Sequence, residues 1–248
     1  YQVLTLWLQV SLSEKLHSYK HSKCKDELLE METFLSRTCS WLNYKNVLSS
    51  ESGYKKLKIE GMLLEVLKYQ SLFDQLSKCT SNIDVDIMLD DWWMFRLIEG
   101  NEIAIECSRQ DSIYPYAFNY LGVPEHLVFT KGLANVYNFL DESFHQNYGV
   151  SIIGPAGTGK TESIKSFGYM FGIFVTVFNF DDLIDFSSLQ RIIAGILKLG
   201  LWASFDEFNR LEYTVMSAIS EMISSIQHSL SNKNTTIDFL GMKLPIHS

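Results

Sequence analysis

One octapeptide constrains this chain more than any other stretch: Gly154-Pro155-Ala156-Gly157-Thr158-Gly159-Lys160-Thr161. It fits the phosphate-binding pattern GxxxxGK[ST]. The glycines let the backbone curl so that several N–H groups converge on phosphate oxygens. A helix N-terminus behind them adds positive partial charge. Lys160 is then placed to reach the β- and γ-phosphates, and the Thr161 hydroxyl to ligate Mg²⁺. A Gly-rich turn arising by chance is the competing reading. With glycine at about 7% of residues, a chain of this length shows the bare pattern on the order of once in a hundred. Context decides between the two. The apolar run Tyr148–Ile153 predicts a strand before the loop, and Lys160–Phe171 predicts a helix after it.

The remainder of the C-terminal half supplies partners for such a strand. Phe174–Asn179 and Leu201–Phe205 predict strands, and Phe186–Leu199 and Val215–Leu230 predict helices. A βαβαβ order implies a parallel α/β sheet with right-handed crossovers. The stretch Leu201-Trp202-Ala203-Ser204-Phe205-Asp206-Glu207 is an apolar strand ending in two carboxylates. An acid at the carboxyl end of a parallel strand lies where such sheets bind ligands. Asp206 is placed there to hold Mg²⁺, and Glu207 to accept the proton of an attacking water. Asp181-Asp182 is a second acidic pair, read as a turn at a strand end or helix start.

Residues 1–110 read as helical. Lys25–Trp41 and Lys56–Ser77 space apolar residues by three and four, and Leu57, Met62, Leu63, Leu64, Val66, Leu67, Leu72, Phe73 and Leu76 form a broad stripe in the second. Ser49–Ser52 and Gly53 mark a break between the two. Trp92-Trp93-Met94-Phe95 reads as a core or docking patch, because a base-stacking platform needs basic charge around it.

That charge is missing. The chain carries a formal −8, with net −3 over residues 1–110 and net −5 over 111–248. Neither half has the basic excess that a phosphate backbone demands, so a nucleic-acid partner is not expected. The four cysteines, Cys24, Cys39, Cys79 and Cys107, lack CxxC spacing and are too sparse for a disulfide scaffold. No apolar run approaches about 18 residues, so no membrane-spanning helix is expected. The first residue is Tyr1 and not Met, as expected of a segment from a longer protein. His17, His21 and Cys24 share a helical face, but a metal site there lacks a fourth ligand, and a solvated face is the reading preferred. No GxSxG elbow or Cys/His pair suggests nucleophilic catalysis.

Several segments together resemble one family. Gly154–Glu162 (GPAGTGKTE), Val177-Phe178-Asn179 and Ser204–Leu211 (SFDEFNRL) are similar to the first AAA+ module of the dynein heavy chains. Phe118–Val123 (FNYLGV) and Leu127-Val128-Phe129-Thr130 are similar too, and the likeness covers about residues 114–221. The chain differs from the family's usual pattern at Ser204, at Phe180 and at Lys131-Gly132-Leu133. The resemblance implies residues 114–248 as the N-terminal portion of that module and 1–113 as the end of the helical linker before it. It implies a P-loop AAA+ sheet of strand order 5-1-4-3-2, with Thr235–Pro245 an insert hairpin. The fourth strand, the helical lid and the sensor residues are then expected beyond Ser248. It further implies that Gly154 through Glu162 cradle ATP, that Leu127 and Val128 pack on adenine, and that Thr161 and Asp206 hold Mg²⁺. Lys160 and Glu207 carry the catalytic roles. The implied setting is a microtubule motor of the cytoplasm and cytoskeleton. Its partners would be microtubules, dynein intermediate and light chains, and neighbouring AAA+ modules. A non-motor AAA+ ATPase and a regulatory nucleotide-binding module are the alternatives.

Overall fold

A computed structural model describes residues 2–23, 25–48, 53–79, 81–98, 104–122, 127–155, 157–180, 185–232, 234, 236–239 and 242–245. The chain divides into two compact units, Tyr1–Lys131 and Gly132–Ser248.

The first unit opens with four helices: α1 (Gln2–Ser22), α2 (Lys25–Leu48), α3 (Gly53–Lys78) and α4 (Asn82–Asp90). Side chains three and four apart share a helix face, and that spacing builds the core. Leu8, Leu12, Leu16 and Tyr19 come from α1, Met31, Leu35 and Leu42 from α2, and Val66, Tyr69, Leu72, Phe73 and Leu76 from α3. Val85 and Leu89 of α4 complete it. Ser81 caps α4, its hydroxyl accepting from the Ile83 N–H at 3.1 Å, which satisfies one of the orphan donors of the first turn.

The expectation of helix throughout residues 1–110 does not hold. Three antiparallel strands, β1 (Met94–Ile98), β2 (Ala104–Arg109) and β3 (Ser112–Pro115), form a sheet in that order. The physical reason is a period of two. Along β2, Ile105, Cys107 and Arg109 are buried while Ala104, Glu106 and Ser108 are not, as a half-buried strand requires. A two-residue turn, Gln110-Asp111, sets Arg109 opposite Ser112. The aromatic block straddles the entry to β1. Trp93 and Phe95 are buried, and the Phe95 N–H donates to the Ser13 hydroxyl of α1 at 3.0 Å. Buried Arg109 donates to the Asp91 carbonyl at 3.0 Å and to its carboxylate at 3.2 Å. Burial also pushes the Cys107 thiol well up from its ordinary pKa. Residues 116–122 after β3 belong to no helix or strand. There the Tyr116 N–H donates to Ile105 at 2.8 Å, and the Gln2 amide donates to the Tyr116 hydroxyl and the Asn119 carbonyl.

The second unit contains α5 (Lys131–His145), α6 (Lys160–Met170), β4 (Val175–Asn179), α7 (Phe186–Leu199), β5 (Trp202–Asp206) and α8 (Tyr213–Ser231). A hairpin, β6 (Thr236–Phe239) and β7 (Met242–Pro245), follows. Each predicted helix and strand from α6 to α8 appears within two residues of its expected bounds. β4 and β5 pair in parallel, Val175 opposite Trp202 through Asn179 opposite Asp206. One aromatic cluster packs α5 and α6 onto this pair. Phe167 stacks on Trp202 at 6.0 Å and 26°, and Phe144 meets Trp202 edge-on at 4.9 Å. Gly168 permits the close approach: a Cβ there would stand 2.3 Å from a Val175 methyl carbon. A second core joins Leu189, Ile193, Ile219 and Met222 to Ile237 and Phe239 of the hairpin. Phe180 belongs to it, stacked on Phe205 at 5.1 Å and 16°.

The predicted strand Tyr148–Ile153 is not formed. Residues 148–153 enter no ladder, and Ile153 is 93% exposed. A strand exists only through hydrogen bonds to a neighbour, and β4–β5 is the only parallel pair among the described residues. Asp181-Asp182, Ser49–Ser52 and Cys24 lie outside the described residues.

Candidate nucleotide site

The loop between residue 153 and α6 takes its shape from two left-handed glycines. Gly157 and Gly159 both have φ of 75°, and a Cβ on either would meet nothing within 4 Å. Backbone conformation, and not space, is what demands glycine there. The Thr158 hydroxyl donates to the Pro155 carbonyl at 2.9 Å and braces the turn. Ala156 lies outside the described residues. Gly159 caps α6 without any side-chain hydrogen bond, so no side chain competes for the donors of the first helical turn.

Lys160 opens α6, and its ammonium donates to the carbonyls of Gly154 at 2.9 Å and Pro155 at 2.7 Å. An ammonium carries three donors, and these two bonds pin it inside the span of the loop. The Glu162 carboxylate accepts from Lys165 of the same helix at 2.8 Å. That bond is the main cause of a raised Lys165 pKa.

The contact that unites the two sequence motifs is made by Thr161. Its hydroxyl donates to the Asp206 carboxylate at 2.8 Å, across 45 residues of chain. Asp206 is held from three further directions. It ends β5 opposite Asn179, its carbonyl accepts from the Phe180 N–H at 3.0 Å, and the buried Ser204 hydroxyl lies 3.4 Å from its other carboxylate oxygen. Hard divalent cations take oxygen ligands and retain water and phosphate oxygens beside one or two protein groups. A hydroxyl and a carboxylate 2.8 Å apart at the foot of a phosphate loop fit that requirement.

Glu207 follows at φ 57°, an uncommon conformation for a residue other than glycine. It begins a 3-10 turn, Phe208–Arg210, and its carboxylate pairs with the Arg210 guanidinium at 3.2 Å. Strained backbone of this kind tends to collect at functional sites. Two supporting residues escaped the sequence reading, Ser204 and Arg210. Ser204 was legible only as a departure from a family pattern, and Arg210 as part of the FDEFNR string. Leu127 is half-buried and Val128 exposed, both in the first compact unit. The His17 and His21 rings meet edge to face at 4.6 Å on an exposed turn of α1. The described residues hold no metal-binding group of three or more His, Cys, Asp or Glu.

Comparison with known proteins gives the family. The family described as the hydrolytic ATP-binding site of the dynein motor region matches residues 116–248. The cytoplasmic dynein heavy chain of Saccharomyces cerevisiae is 37% identical over 204 residues, covering 80% of this chain and 5% of its own length. Human cytoplasmic dynein 2 heavy chain 1 is 34% identical over 258 aligned residues, covering 100% of this chain and 6% of its own. The cytoplasmic dynein heavy chain of Dictyostelium discoideum is 32% identical over 228 residues, covering 90% of this chain and 5% of its own. The chain thus spans about one twentieth of the length of these relatives. It belongs to the dynein heavy-chain family, and residues 116–248 carry that family's hydrolytic ATP-binding region.

Proposed function

We propose that this segment is the hydrolytic core of a microtubule motor, in which ATP binding and hydrolysis move the helical part and drive minus-end-directed transport. Residues 1–113 would be the end of the linker, and 114–248 the N-terminal portion of the first AAA+ module. β4 and β5 would be the second and third strands of the 5-1-4-3-2 sheet, which are neighbours in that order. One observation carries the reading: the Thr161 hydroxyl and the Asp206 carboxylate are hydrogen-bonded at 2.8 Å, so the phosphate loop and the acidic strand end form one site.

The roles follow from chemistry. Backbone N–H groups of Gly154–Thr161, with Pro155, Ala156 and Thr158 shaping the loop, cradle the phosphates of ATP. Glu162 borders this cradle on the first turn of α6, and Leu127 and Val128 flank the adenine. Thr161 and Asp206 would hold Mg²⁺, which when bound neutralises charge on the β- and γ-phosphate oxygens. Lys160 adds a point charge to the same oxygens. Glu207 takes a proton from water as the water oxygen bonds to the γ-phosphorus. The bond from that phosphorus to the β–γ bridging oxygen breaks, and ADP leaves with the electron pair. The motor setting brings the proposed partners: microtubules, intermediate and light chains, and neighbouring AAA+ modules, in the cytoplasm.

Lys160→Ala tests the reading in a full-length heavy chain. Loss of charged hydrogen bonds at phosphate should weaken ATP binding by about 10–100-fold, and ATP-driven microtubule gliding should stop. Unchanged ATP affinity by titration calorimetry would mean that the loop does not bind the nucleotide.

A further inference from the structure

Residues two apart on a strand share a face, so Trp202, Ser204 and Asp206 of β5 lie in one row. Both ends of that row touch α6. Trp202 packs on Phe167 at 6.0 Å, and Asp206 accepts from Thr161 at 2.8 Å. Ser204 stands between them and is only 6% exposed. A buried hydroxyl needs a hydrogen-bond partner. Among the described residues the Ser204 hydroxyl has one, Oδ1 of Asp206 at 3.4 Å.

The other oxygen is also taken, because Thr161 donates to Oδ2. The backbone below is fixed as well, with the Asp206 carbonyl accepting from the Phe180 N–H at 3.0 Å. A carboxylate held at both oxygens resists rotation about its own side-chain bonds. The two hard cations of the cell respond differently to such restraint. Mg²⁺ demands near-ideal octahedral geometry, whereas Ca²⁺ takes carboxylates in one- or two-oxygen contacts with looser angles. Groups that orient a metal's ligand therefore tune which metal it serves.

We propose that Ser204 is a positioning residue for the Mg²⁺–ATP complex: its hydroxyl fixes the plane of the Asp206 carboxylate and so favours Mg²⁺ over Ca²⁺ beside the bound nucleotide. Ser204 acts only through Asp206. The proposal rests on the reading that Thr161 and Asp206 hold Mg²⁺. All three residues belong to the second compact unit.

The test uses a full-length heavy chain and an ATP analogue in which an NH group replaces the β–γ bridging oxygen, so that binding is read without turnover. The dissociation constant of the analogue is measured by titration calorimetry with saturating Mg²⁺, with saturating Ca²⁺ and with EDTA. Ser204→Ala should weaken binding with Mg²⁺ roughly three- to tenfold, at the low end for a lost partner of a metal ligand because the bond is long. Binding with Ca²⁺ should change by less than about twofold, since a freer carboxylate still serves a cation of flexible geometry. Binding in EDTA should not move. Asp206→Asn is the control for the underlying reading and should lose affinity with Mg²⁺ but not in EDTA. If it does so while Ser204→Ala is unchanged in all three conditions, the positioning role is wrong and the metal reading stands. If Asp206→Asn is silent with Mg²⁺ as well, the metal reading fails and takes the positioning role with it. Equal losses by Ser204→Ala with Mg²⁺ and Ca²⁺ would overturn the selectivity, and an equal loss in EDTA would mark a general fault of folding and overturn the proposal.

Discussion

Glu207→Gln in a full-length heavy chain is expected to bind ATP normally and to hydrolyse it about 10²–10⁴-fold more slowly, the usual contribution of a general base. The substitution is informative because it changes little else. An amide has the shape of the carboxylate, and its oxygen still accepts from Arg210, which now holds Glu207 at 3.2 Å. The left-handed backbone at φ 57° is set by the start of the 3-10 turn and not by the charge. What an amide cannot do is take a proton from water near neutral pH. Single-turnover hydrolysis by rapid quench separates this step from product release. Hydrolysis within about threefold of wild type would remove Glu207 from the role of base.

The second large effect concerns the 248-residue chain expressed alone. It is expected to show no steady ATP turnover. The phosphate loop is reached through residues 148–153, which enter no ladder among the described residues, and Tyr148 and Ile153 are 59% and 93% exposed. A segment with few buried contacts opens at low free-energy cost. Lys160 and Glu207 then lack a fixed separation, and positional catalysis worth effective molarities of about 10⁵–10⁸ M is forfeited. A longer segment of the heavy chain, one that supplies parallel neighbours for residues 148–153 and for β5, should restore nucleotide binding. Steady turnover by the 248-residue chain would show that the loop needs no such support.

How much of this was legible in the sequence differs between the two units. In the second, helices α6, α7 and α8 and strands β4 and β5 followed from apolar spacing, because each buries one face against the others. Residues 148–153 have the composition of a strand but not the partner. Composition measures a propensity, and a ladder needs a neighbour. In the first unit the long helices α2 and α3 were visible as stripes, while β1 to β3 were not. In β2 the buried Ile105, Cys107 and Arg109 do alternate with less buried neighbours, but each strand is only four to six residues long. Over so few residues a period of two is hard to separate from the helical pattern beside it.

The site itself was legible as two motifs, and chemistry alone paired them. The roles proposed for Thr161 and Asp206 each make sense only beside a phosphate. The supporting contacts were not legible. Ser204 beneath Asp206, Arg210 beside Glu207 and Gly168 against Val175 depend on which elements touch. The ring of Phe129 packed against Lys68 depends on a fold contact across 61 residues, which no local pattern reports.

The central claim is that the phosphate loop and the acidic strand end act as one site on one Mg²⁺–ATP complex. A double-mutant cycle tests it directly, measuring the ATP dissociation constant with Mg²⁺ present for wild type, Thr161→Val, Asp206→Asn and the double variant in a full-length heavy chain. Groups that share one ligand and one hydrogen bond couple by about 0.5–3 kcal/mol. The double variant should therefore lose much less affinity than the two single losses combined. Losses that add to within about 0.5 kcal/mol would show that Thr161 and Asp206 act independently, and would contradict the account.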